Sequence, residues 1–356
     1  MAMAHKMKIA IDISPLQSGH KVRGVGFYLE HLKNALVKYY PENDYVFFER
    51  GQNLPQDVDL VHFPYFEPFF LAFPIYKKYK TVVTVHDLTP IVFPDAFPKG
   101  IKGQLKWQMQ RFSLKKTNAI ITDSNSSKKD ILKLVGAKES KVNVVYLAAG
   151  EGFKKIKADD SILKKTKEKY NLPDKFILYV GDVTWNKNLP RLLDAVKEAN
   201  VPIVMVGKNL NSGDYDKLNP WNHDLNRVWE LSKENHKIFR LGFVPDEDLV
   251  AIYNLADVFV MPSLYEGFGL PILEAMACGC PVITSKEGSL KEVAGNAAYF
   301  VDAYNMDDIK NGIVKVFNDN ELKNEFRIKG LENIQKFSWK KTAEETLKVY
   351  EGVLGS

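Results

Sequence analysis

The chain has 356 residues, of which 45% are hydrophobic, 12% aromatic and 26% charged, and this composition excludes disordered, collagen-like and coiled-coil chains. Its length corresponds to two to three domains of about 150 residues each. The net charge of +5 is too small to indicate a nucleic-acid-binding protein, although it permits anionic ligands or an anionic membrane surface. No run approaches the roughly 18 apolar residues of a membrane span.

The N-terminal letters MAMAHK contain no apolar core of a signal peptide and look like an expression remnant before Met7. Cys278 and Cys280 lie two residues apart, which makes them poor disulfide partners, and further cysteines for a metal site are lacking. We therefore expect inert thiols in a reducing compartment and a cytoplasmic protein, with peripheral attachment to the inner face of a membrane left open.

The first half of the chain alternates short apolar runs with helical patterns, which is typical of a parallel α/β sheet. A loop containing Gly24 and Gly26 follows the first strand, and a helical pattern covers residues 27–39. Strands are predicted at residues 8–13, 45–48, 60–63, 81–85, 119–122 and 142–146.

Residues 154–171 are charged, interrupt this alternation and predict a linker followed by a surface helix. Beyond them strands are predicted at residues 176–180, 203–206, 238–241, 258–261, 282–284 and 299–301, and residues 339–353 show helical spacing after Ser338, a good N-cap. We predict two Rossmann-like α/β domains facing across a cleft, at residues 1–165 and 172–336, followed by a helix at residues 337–354.

The most informative segment is PSLYEGFGLPILEAMACGCP at residues 262–281. Gly267 and Gly269 permit a tight turn and a close backbone approach, and Pro271 suits the first turn of a helix that stops at Gly279. The N-terminus of such a helix binds anions. We therefore expect a diphosphate at the backbone of Gly267, Phe268, Gly269 and Leu270.

Two carboxylates flank this predicted anion site: Glu266 in the loop and Glu274 one turn into the helix. A carboxylate would repel the anion unless it binds another part of the ligand, and a nucleotide sugar offers such parts. Glu274 can accept hydrogen bonds from both ribose hydroxyls, as acidic residues do in dinucleotide sites, and Glu266 is then placed for the sugar. The alternative is that both are solvated surface glutamates, as most glutamates are.

The segment SLYEGFGLPILEAMACGCPVI resembles the E-x7-E motif of the retaining glycosyltransferases of the GT-B fold, of the group 1 or family 4 type. The resemblance covers the C-terminal domain and is weaker in the N-terminal half. Further matches are Tyr179-Val-Gly181, Lys187-Asn-Leu189, Gly242-x-Val244, Tyr253-x-x-Ala256, Arg23-Gly-Val-Gly26, Val85-His-Asp87 and Asp123-Ser124.

This resemblance implies a donor nucleotide on the C-terminal domain, an acceptor on the N-terminal domain, retention of anomeric configuration, no metal or other cofactor, and a C-terminal helix that packs back on the N-terminal domain. The sequence of residues 239–271 is most similar to those of mannosyltransferases of surface-polysaccharide pathways. We therefore expect GDP-mannose as donor, with UDP-sugars as the alternative, and a saccharide or lipid-linked saccharide as acceptor.

The family holds the donor phosphates with an Arg and a Lys five residues apart. Lys187 stands at the Lys position, whereas Asp182 stands where the Arg would be and Asn186 where some members carry it. We expect Lys187 to contact the phosphates as a point charge. Arg191 or Lys208 could replace the missing cation.

Gly24 and Gly26 lack the third glycine of a dinucleotide fingerprint, so we interpret them as a flexible loop that closes on the donor diphosphate. His86 follows the predicted strand at residues 81–85, and ligands bind at such strand ends. The resemblance implies that His86 contacts the donor sugar. His62 and Asp123-Ser124 give a weaker signal at neighbouring strand ends, and the other histidines show no spacing for a metal site.

Residues 99–116 contain six basic residues and no acidic one, and Ile101, Leu105, Met109 and Phe112 recur at helical spacing. Such a helix can lie on an anionic membrane surface. The alternative is that its apolar side packs on the sheet.

Two other functions fit the same plan: a nucleotide-sugar epimerase, hydrolase or phosphorylase, and a non-catalytic two-domain sugar-binding protein. Fold analogy alone does not decide among them.

Overall fold

The computed structural model describes residues 6–17, 24–211, 213, 215–233 and 235–355, which form two compact units. Unit 1 comprises the described residues of Met1–Asp95, Lys99–Ala148 and Phe337–Ser356, and unit 2 those of Ala96–Pro98 and Ala149–Lys336.

Unit 1 contains a parallel sheet with the strand order β2-β1-β3-β4-β5-β6. Its central strands are buried on both faces, as expected where parallel strands are covered on each side. The strands are β1 (Lys8–Asp12), β2 (Asp44–Phe48), β3 (Leu60–Phe63), β4 (Lys80–Thr84), β5 (Ala119–Thr122) and β6 (Val142–Val144). The helices before β6 are α1 (Gly24–Tyr39), α2 (Thr89–Val92), α3 (Gly100–Lys115) and α4 (Asn125–Asp130), which continues as a π-helical turn at Ile131–Val135.

Unit 2 contains a second parallel sheet, with the order β12-β11-β10-β7-β8-β9. Its strands are β7 (Ile177–Val180), β8 (Ile203–Val206), β9 (Ile238–Gly242), β10 (Val258–Met261), β11 (Val282–Thr284) and β12 (Ala298–Phe300). Its helices are α5 (Ser161–Lys169), α6 (Leu189–Ala199), α7 (His223–Ser232), α8 (Asp246–Leu255), α9 (Leu270–Ala277), α10 (Leu290–Ala294), α11 (Met306–Asn318) and α12 (Asn320–Asn333).

The last helix, α13 (Trp339–Leu354), belongs to unit 1. The Oγ atom of Ser338 accepts a hydrogen bond from the backbone N–H of Lys341 at 3.2 Å, which caps the helix. The ring of Trp339 stacks on His31 of α1 with centroids 5.0 Å apart, so α13 covers the same side of the sheet as α1. The expected packing of this helix on the N-terminal sheet is confirmed.

All twelve predicted strands are present, and their ends differ from the prediction by no more than two residues. The charged segment contains α5, as predicted, but the segment belongs to unit 2, whose main part begins at Ala149 and not at the predicted residue 172. Cys278 and Cys280 are buried free thiols, and burial raises the pKa of both.

One prediction about local structure is wrong. Gly24 and Gly26 lie in the first turn of α1 and not in a flexible loop, because the helix begins three residues earlier than its apolar pattern indicates. Gly26 is buried, and Arg23 lies outside the described residues.

Candidate functional site in unit 2

The loop between β10 and α9 needs glycine at residue 269. Gly269 has a φ of +101°, in the left-handed region where other residues are strained, and a Cβ atom there would lie 2.9 Å from Cδ2 of Leu290. Leu270 and Pro271 then form the first turn of α9. The predicted turn and helix start are therefore present at these residues.

A second segment holds the backbone of this loop at Glu266. The Oγ atom of Ser289 donates to the carbonyl oxygens of Glu266 at 3.0 Å and Phe268 at 2.7 Å. A Cβ atom on Gly288 would lie 2.5 Å from the carbonyl oxygen of Glu266, so the two backbones touch. Since Phe268 is also buried, the loop has little freedom to change shape.

Glu266 forms an ion pair with Lys187. The Nζ atom of Lys187 lies 2.7 Å from Oε1 and 2.9 Å from Oε2 of the carboxylate. The side chains are 20% and 9% exposed, respectively, so the pair is largely shielded from water.

This pair lies at the point where the strand order of the sheet reverses. Lys187 follows β7 and Glu266 follows β10; the chain runs outward from β7 through β8 and β9, and from β10 through β11 and β12 in the other direction. Ligands of open α/β sheets bind beyond the strand ends at such a reversal. The ion pair and the N-terminus of α9 together therefore mark the candidate site.

Two asparagines set the position of Lys187. The carbonyl oxygen of Asn186 accepts from the backbone N–H of Leu264 at 2.7 Å, and its side-chain amide donates to the carbonyl of Tyr265 at 3.0 Å. Asn188 has a φ of +59°, and its amide donates to the carbonyls of Pro262 at 2.9 Å and Ala303 at 2.7 Å. These bonds tie the two loops together on both sides of the lysine.

Glu274 lies on the inner side of α9 and is only 8% exposed. Its Oε2 atom accepts a hydrogen bond from the hydroxyl of Tyr253 at 2.9 Å. Burial raises the pKa of Glu274 to about 7, although the hydrogen bond from Tyr253 opposes this rise. Glu266 is equally buried, so the interpretation of both residues as solvated surface glutamates is wrong.

The two cations that could replace the missing Arg, and Asp182 at the position of that Arg, lie in different environments. The Arg191 guanidinium donates to Oδ1 of Asn188 at 2.5 Å and to the carbonyl of Ala303 at 3.1 Å, so it supports the asparagine. Lys208 is exposed in the loop after β8. Asp182 lies in the loop after β7, where its carbonyl accepts from the Tyr179 hydroxyl at 3.1 Å.

His86 lies in unit 1, beyond the end of β4, and is paired with Asp123 beyond the end of β5. Its Nδ1 atom is 2.7 Å from Oδ2 of Asp123. Burial lowers the pKa of His86, but the charge and hydrogen bond of Asp123 outweigh burial and raise it overall. Oδ1 of Asp123 and Oγ1 of Thr122 are buried without a hydrogen-bond partner, whereas His86 also has a hydrogen bond with the backbone of Pro64. Buried polar atoms of this kind are satisfied by water, an ion or a ligand.

His62 has a structural role. Its Nδ1 atom lies 2.7 Å from the Tyr350 hydroxyl and its Nε2 atom 2.8 Å from Oγ1 of Thr84. Burial, together with the nearby His86, lowers its pKa to about 3, so it stays neutral. His62 therefore joins β3 to α13 through its hydrogen bond with Tyr350.

Sequence reasoning missed the partner of Glu274. Tyr253 is in the pattern shared with the family, but nothing in that pattern indicates that its hydroxyl reaches α9. The strand-end position of Asp123 gave a weak indication of a site residue. Its pairing with His86 was not predicted, because the two residues are 37 positions apart.

Among the described residues, no group of three or more His, Cys, Asp or Glu side chains is arranged to hold a metal ion. The helices of that part of the chain include none that is long and apolar enough to cross a membrane.

Comparison with known proteins connects these features. The family profile of glycosyl transferases group 1 matches residues 160–332, and that of glycosyltransferase family 4 matches residues 16–148. The O-antigen chain mannosyltransferase B of Escherichia coli is 31% identical over 276 residues, which are 76% of this chain and 70% of that protein. The serotype-specific mannosyltransferase WbdA of the same organism is 29% identical over 289 residues, 78% of this chain but 34% of that protein.

The Anabaena protein Alr3699/HepE, solved in complex with UDP-glucose, superposes with a TM-score of 0.71 at 18% identity, and the match covers 97% of this chain and all of that one. Its low identity supports the fold alone. Because the group 1 profile spans both motif glutamates, and a relative above 30% identity is matched over most of its length, the chain belongs to the group 1 and family 4 glycosyltransferases and has their GT-B fold.

Proposed function

We propose that this glycosyltransferase moves mannose from GDP-mannose to a glycan or a lipid-linked saccharide, with retention of the anomeric configuration and without a metal ion. The names of the E. coli relatives support mannose as the sugar. This chain spans about a third of WbdA, so the activity of that longer protein applies here only in part.

The observation that carries the proposal is the Lys187–Glu266 ion pair, at the strand-order reversal and before the N-terminus of α9. A cation and a helix N-terminus together stabilise the negative charge that grows on a departing diphosphate. Glu266 would then lie beside the sugar, where a carboxylate stabilises positive charge on the ring. Glu274, deeper on α9, would accept hydrogen bonds from the ribose hydroxyls. The Tyr253 hydroxyl would then either share Oε2 with them or give up its hydrogen bond to this atom.

In the proposed reaction the acceptor hydroxyl attacks the anomeric carbon on the face from which the nucleoside diphosphate leaves. The carbon–oxygen bond to the diphosphate breaks, the bond to the acceptor oxygen forms, and the leaving phosphate oxygen takes the acceptor proton. Lys187 contributes to this step if its charge is shared between Glu266 and the diphosphate. The position of His86 beyond the end of β4, held there by Asp123, supports the expected contact of this residue with the donor sugar.

The surface of α3 supports an acceptor at an anionic membrane. Ile101, Leu105, Met109 and Phe112 are 84%, 61%, 43% and 52% exposed, so the alternative that this apolar stripe packs on the sheet is wrong. An exposed apolar stripe among basic residues fits an anionic leaflet. We propose peripheral attachment to the cytoplasmic face of such a membrane.

Thermal-shift measurements with GDP, UDP, GDP-mannose and UDP-glucose test the donor, because a ligand of the folded state raises the melting temperature. We expect the largest shift with the GDP ligands; UDP-glucose is the matched competitor, since the structural neighbour was solved with it. Donor turnover with and without acceptor saccharide then tests the reaction. Turnover that acceptors do not increase would indicate a hydrolase, and binding without turnover a sugar-binding protein.

A further inference from the structure

Two of the strand connections in unit 1 are made without a helix. The connections from β2 to β3 and from β3 to β4, residues 49–59 and 64–79, contain no helix in the described chain. Parallel strands are usually joined by a crossover helix, whereas irregular chain makes both of these connections.

A cavity of about 570 Å³ lies between these two connections and the sheet. Val61 and Phe63 of β3 line it, whereas His62 between them contacts α13. Because neighbouring residues of a strand point to opposite faces, the cavity lies on the sheet face that α13 does not cover. Its volume is within the usual range of ligand pockets, about 300–1,000 Å³.

The cavity is apolar inside and open at one side. Phe48 and Phe73 are buried members of its wall. Leu71, Ile75 and Tyr76 also line it, but they are 48%, 41% and 86% exposed. The cavity therefore opens to solvent between these three side chains, and the opening itself is apolar.

The charged residues that line the cavity are all basic. Arg50, Lys77 and Lys78 line it, and the lining residues that the structure describes include no Asp or Glu. Arg50 is balanced by Asp12 at 3.3 Å, whereas Nζ of Lys77 donates to the carbonyl and hydroxyl oxygens of Ser113 at 2.9 and 2.7 Å. Burial, with smaller effects of Lys116 and Lys141, lowers the pKa of Lys77 to about 8.

The same segment packs against α3. Ser113 of α3 accepts from Lys77, and Nζ of Lys106 lies 5.3 Å from the ring centroid of Phe70. The cavity wall and the exposed apolar stripe of α3 thus belong to one part of unit 1.

We propose that this cavity binds the hydrocarbon chain of an anionic, phosphate-headed lipid, with the head group at Lys77 and Lys78. An apolar lining favours a hydrocarbon chain over a sugar, and the basic edge complements a phosphate. This proposal rests on the proposed function, since the hydrocarbon chain would belong to the lipid that carries the saccharide acceptor.

Isothermal titration calorimetry of the full chain with dodecyl phosphate, below its micellar concentration, tests the proposal. We expect saturable binding, and affinity for butyl phosphate weaker by at least about a hundredfold, because each buried methylene contributes to affinity. Ile75→Glu places a carboxylate at the opening and should weaken dodecyl phosphate binding by at least about tenfold. Ile328→Glu on α12 of unit 2 is the matched control and should leave that binding unchanged. Both side chains are exposed, so both variants should keep the parent melting temperature.

Absence of saturable binding, or equal affinity in Ile75→Glu, would overturn the proposal. So would self-association of the parent chain that Ile75→Glu abolishes and dodecyl phosphate does not displace, since a second copy would then cover the cavity. Transfer from GDP-mannose to a water-soluble saccharide is measured in parallel. Its absence would count against the proposed function, whereas transfer without dodecyl phosphate binding would overturn the cavity proposal alone.

Discussion

The Nζ atom of Lys187 is within hydrogen-bond distance of both carboxylate oxygens of Glu266, 2.7 and 2.9 Å away. The lysine expected at the phosphates is thus paired with the carboxylate expected at the sugar. At the position where the resemblance led us to expect a further Arg, the chain has Asp182. If a diphosphate binds Lys187 as proposed, it shares this lysine with Glu266, and the two residues then act as a coupled unit.

The first prediction concerns stability. Lys187→Met should lower the free energy of unfolding by about 1–3 kcal/mol, because it leaves a buried carboxylate without its charged partner. The double variant Lys187→Met/Glu266→Gln should regain most of this loss, and Lys208→Met, at an exposed lysine, is the control. Urea denaturation measures all three, and a double variant no more stable than Lys187→Met would show that the ion pair is not the cause.

The second prediction separates phosphate binding from sugar binding. Lys187→Ala should weaken binding of the nucleoside diphosphate by about tenfold or more while sparing the nucleoside, because a cation–phosphate contact is lost. Glu266→Gln should spare binding of the nucleotide and lower turnover. Calorimetry with GDP and guanosine, together with steady-state kinetics, measures both effects. Equal losses for diphosphate and nucleoside would assign Lys187 a purely structural role.

The third prediction concerns pH. Burial raises the pKa of Glu274 from 4.5 to about 7, so the folded state holds a proton that the unfolded state has released between these values. The free energy of unfolding should therefore fall as the pH rises from 4.5 to about 7, and Glu274→Gln should remove this part of the pH dependence.

Nucleotide binding should show the opposite trend with pH. Ribose hydroxyls donate to the ionised carboxylate, so affinity should rise about tenfold between about pH 6 and about pH 8. In Glu274→Gln the affinity should be lower by about 1–3 kcal/mol and independent of pH over this interval. A pH dependence that persists in the variant would exclude Glu274 as its source.

The fourth prediction concerns His86. Asp123 raises the pKa of this histidine against the effect of burial, so Asp123→Asn should lower that pKa. Asp87→Asn is the matched control, since Asp87 contributes a weaker effect of the same sign and should give a smaller drop. Titration of the His86 ring by NMR measures both. We also expect turnover to fall in Asp123→Asn with GDP affinity unchanged; an unaltered His86 pKa would contradict the proposed pairing.

The fifth prediction concerns the membrane. The protein should sediment with anionic liposomes at low salt and not with neutral ones, because each Lys or Arg near the surface contributes roughly 1 kcal/mol. Replacing Lys102, Lys106 and Arg111 by Glu should abolish sedimentation, whereas the same exchange at Lys164, Lys167 and Lys169 of α5 should not. No sedimentation of the parent protein with anionic liposomes would favour an acceptor in solution.

Much of the site could be predicted because its signals are local. The turn at Gly269, the start of α9 at Leu270 and the two glutamates lie within nine consecutive positions, 266–274, so their spacing already relates them. The Lys187–Glu266 contact joins residues 79 positions apart, and the Tyr253–Glu274 contact joins two different helices. Such contacts depend on how strands and helices pack, which no local pattern reports.

The strands, the second sheet and the capped helix α13 follow from the sequence alone, because buried apolar runs and N-cap residues act over a few neighbouring positions. The sequence alone does not decide whether an apolar helix face packs against another element. The periodicity of residues 99–116 is the same whether Ile101 and Leu105 pack on a sheet or face water, and only the tertiary structure decides that they are exposed. Likewise, only packing brings a hydroxyl to Glu274 and a carboxylate to His86, because these contacts depend on which elements become neighbours in space.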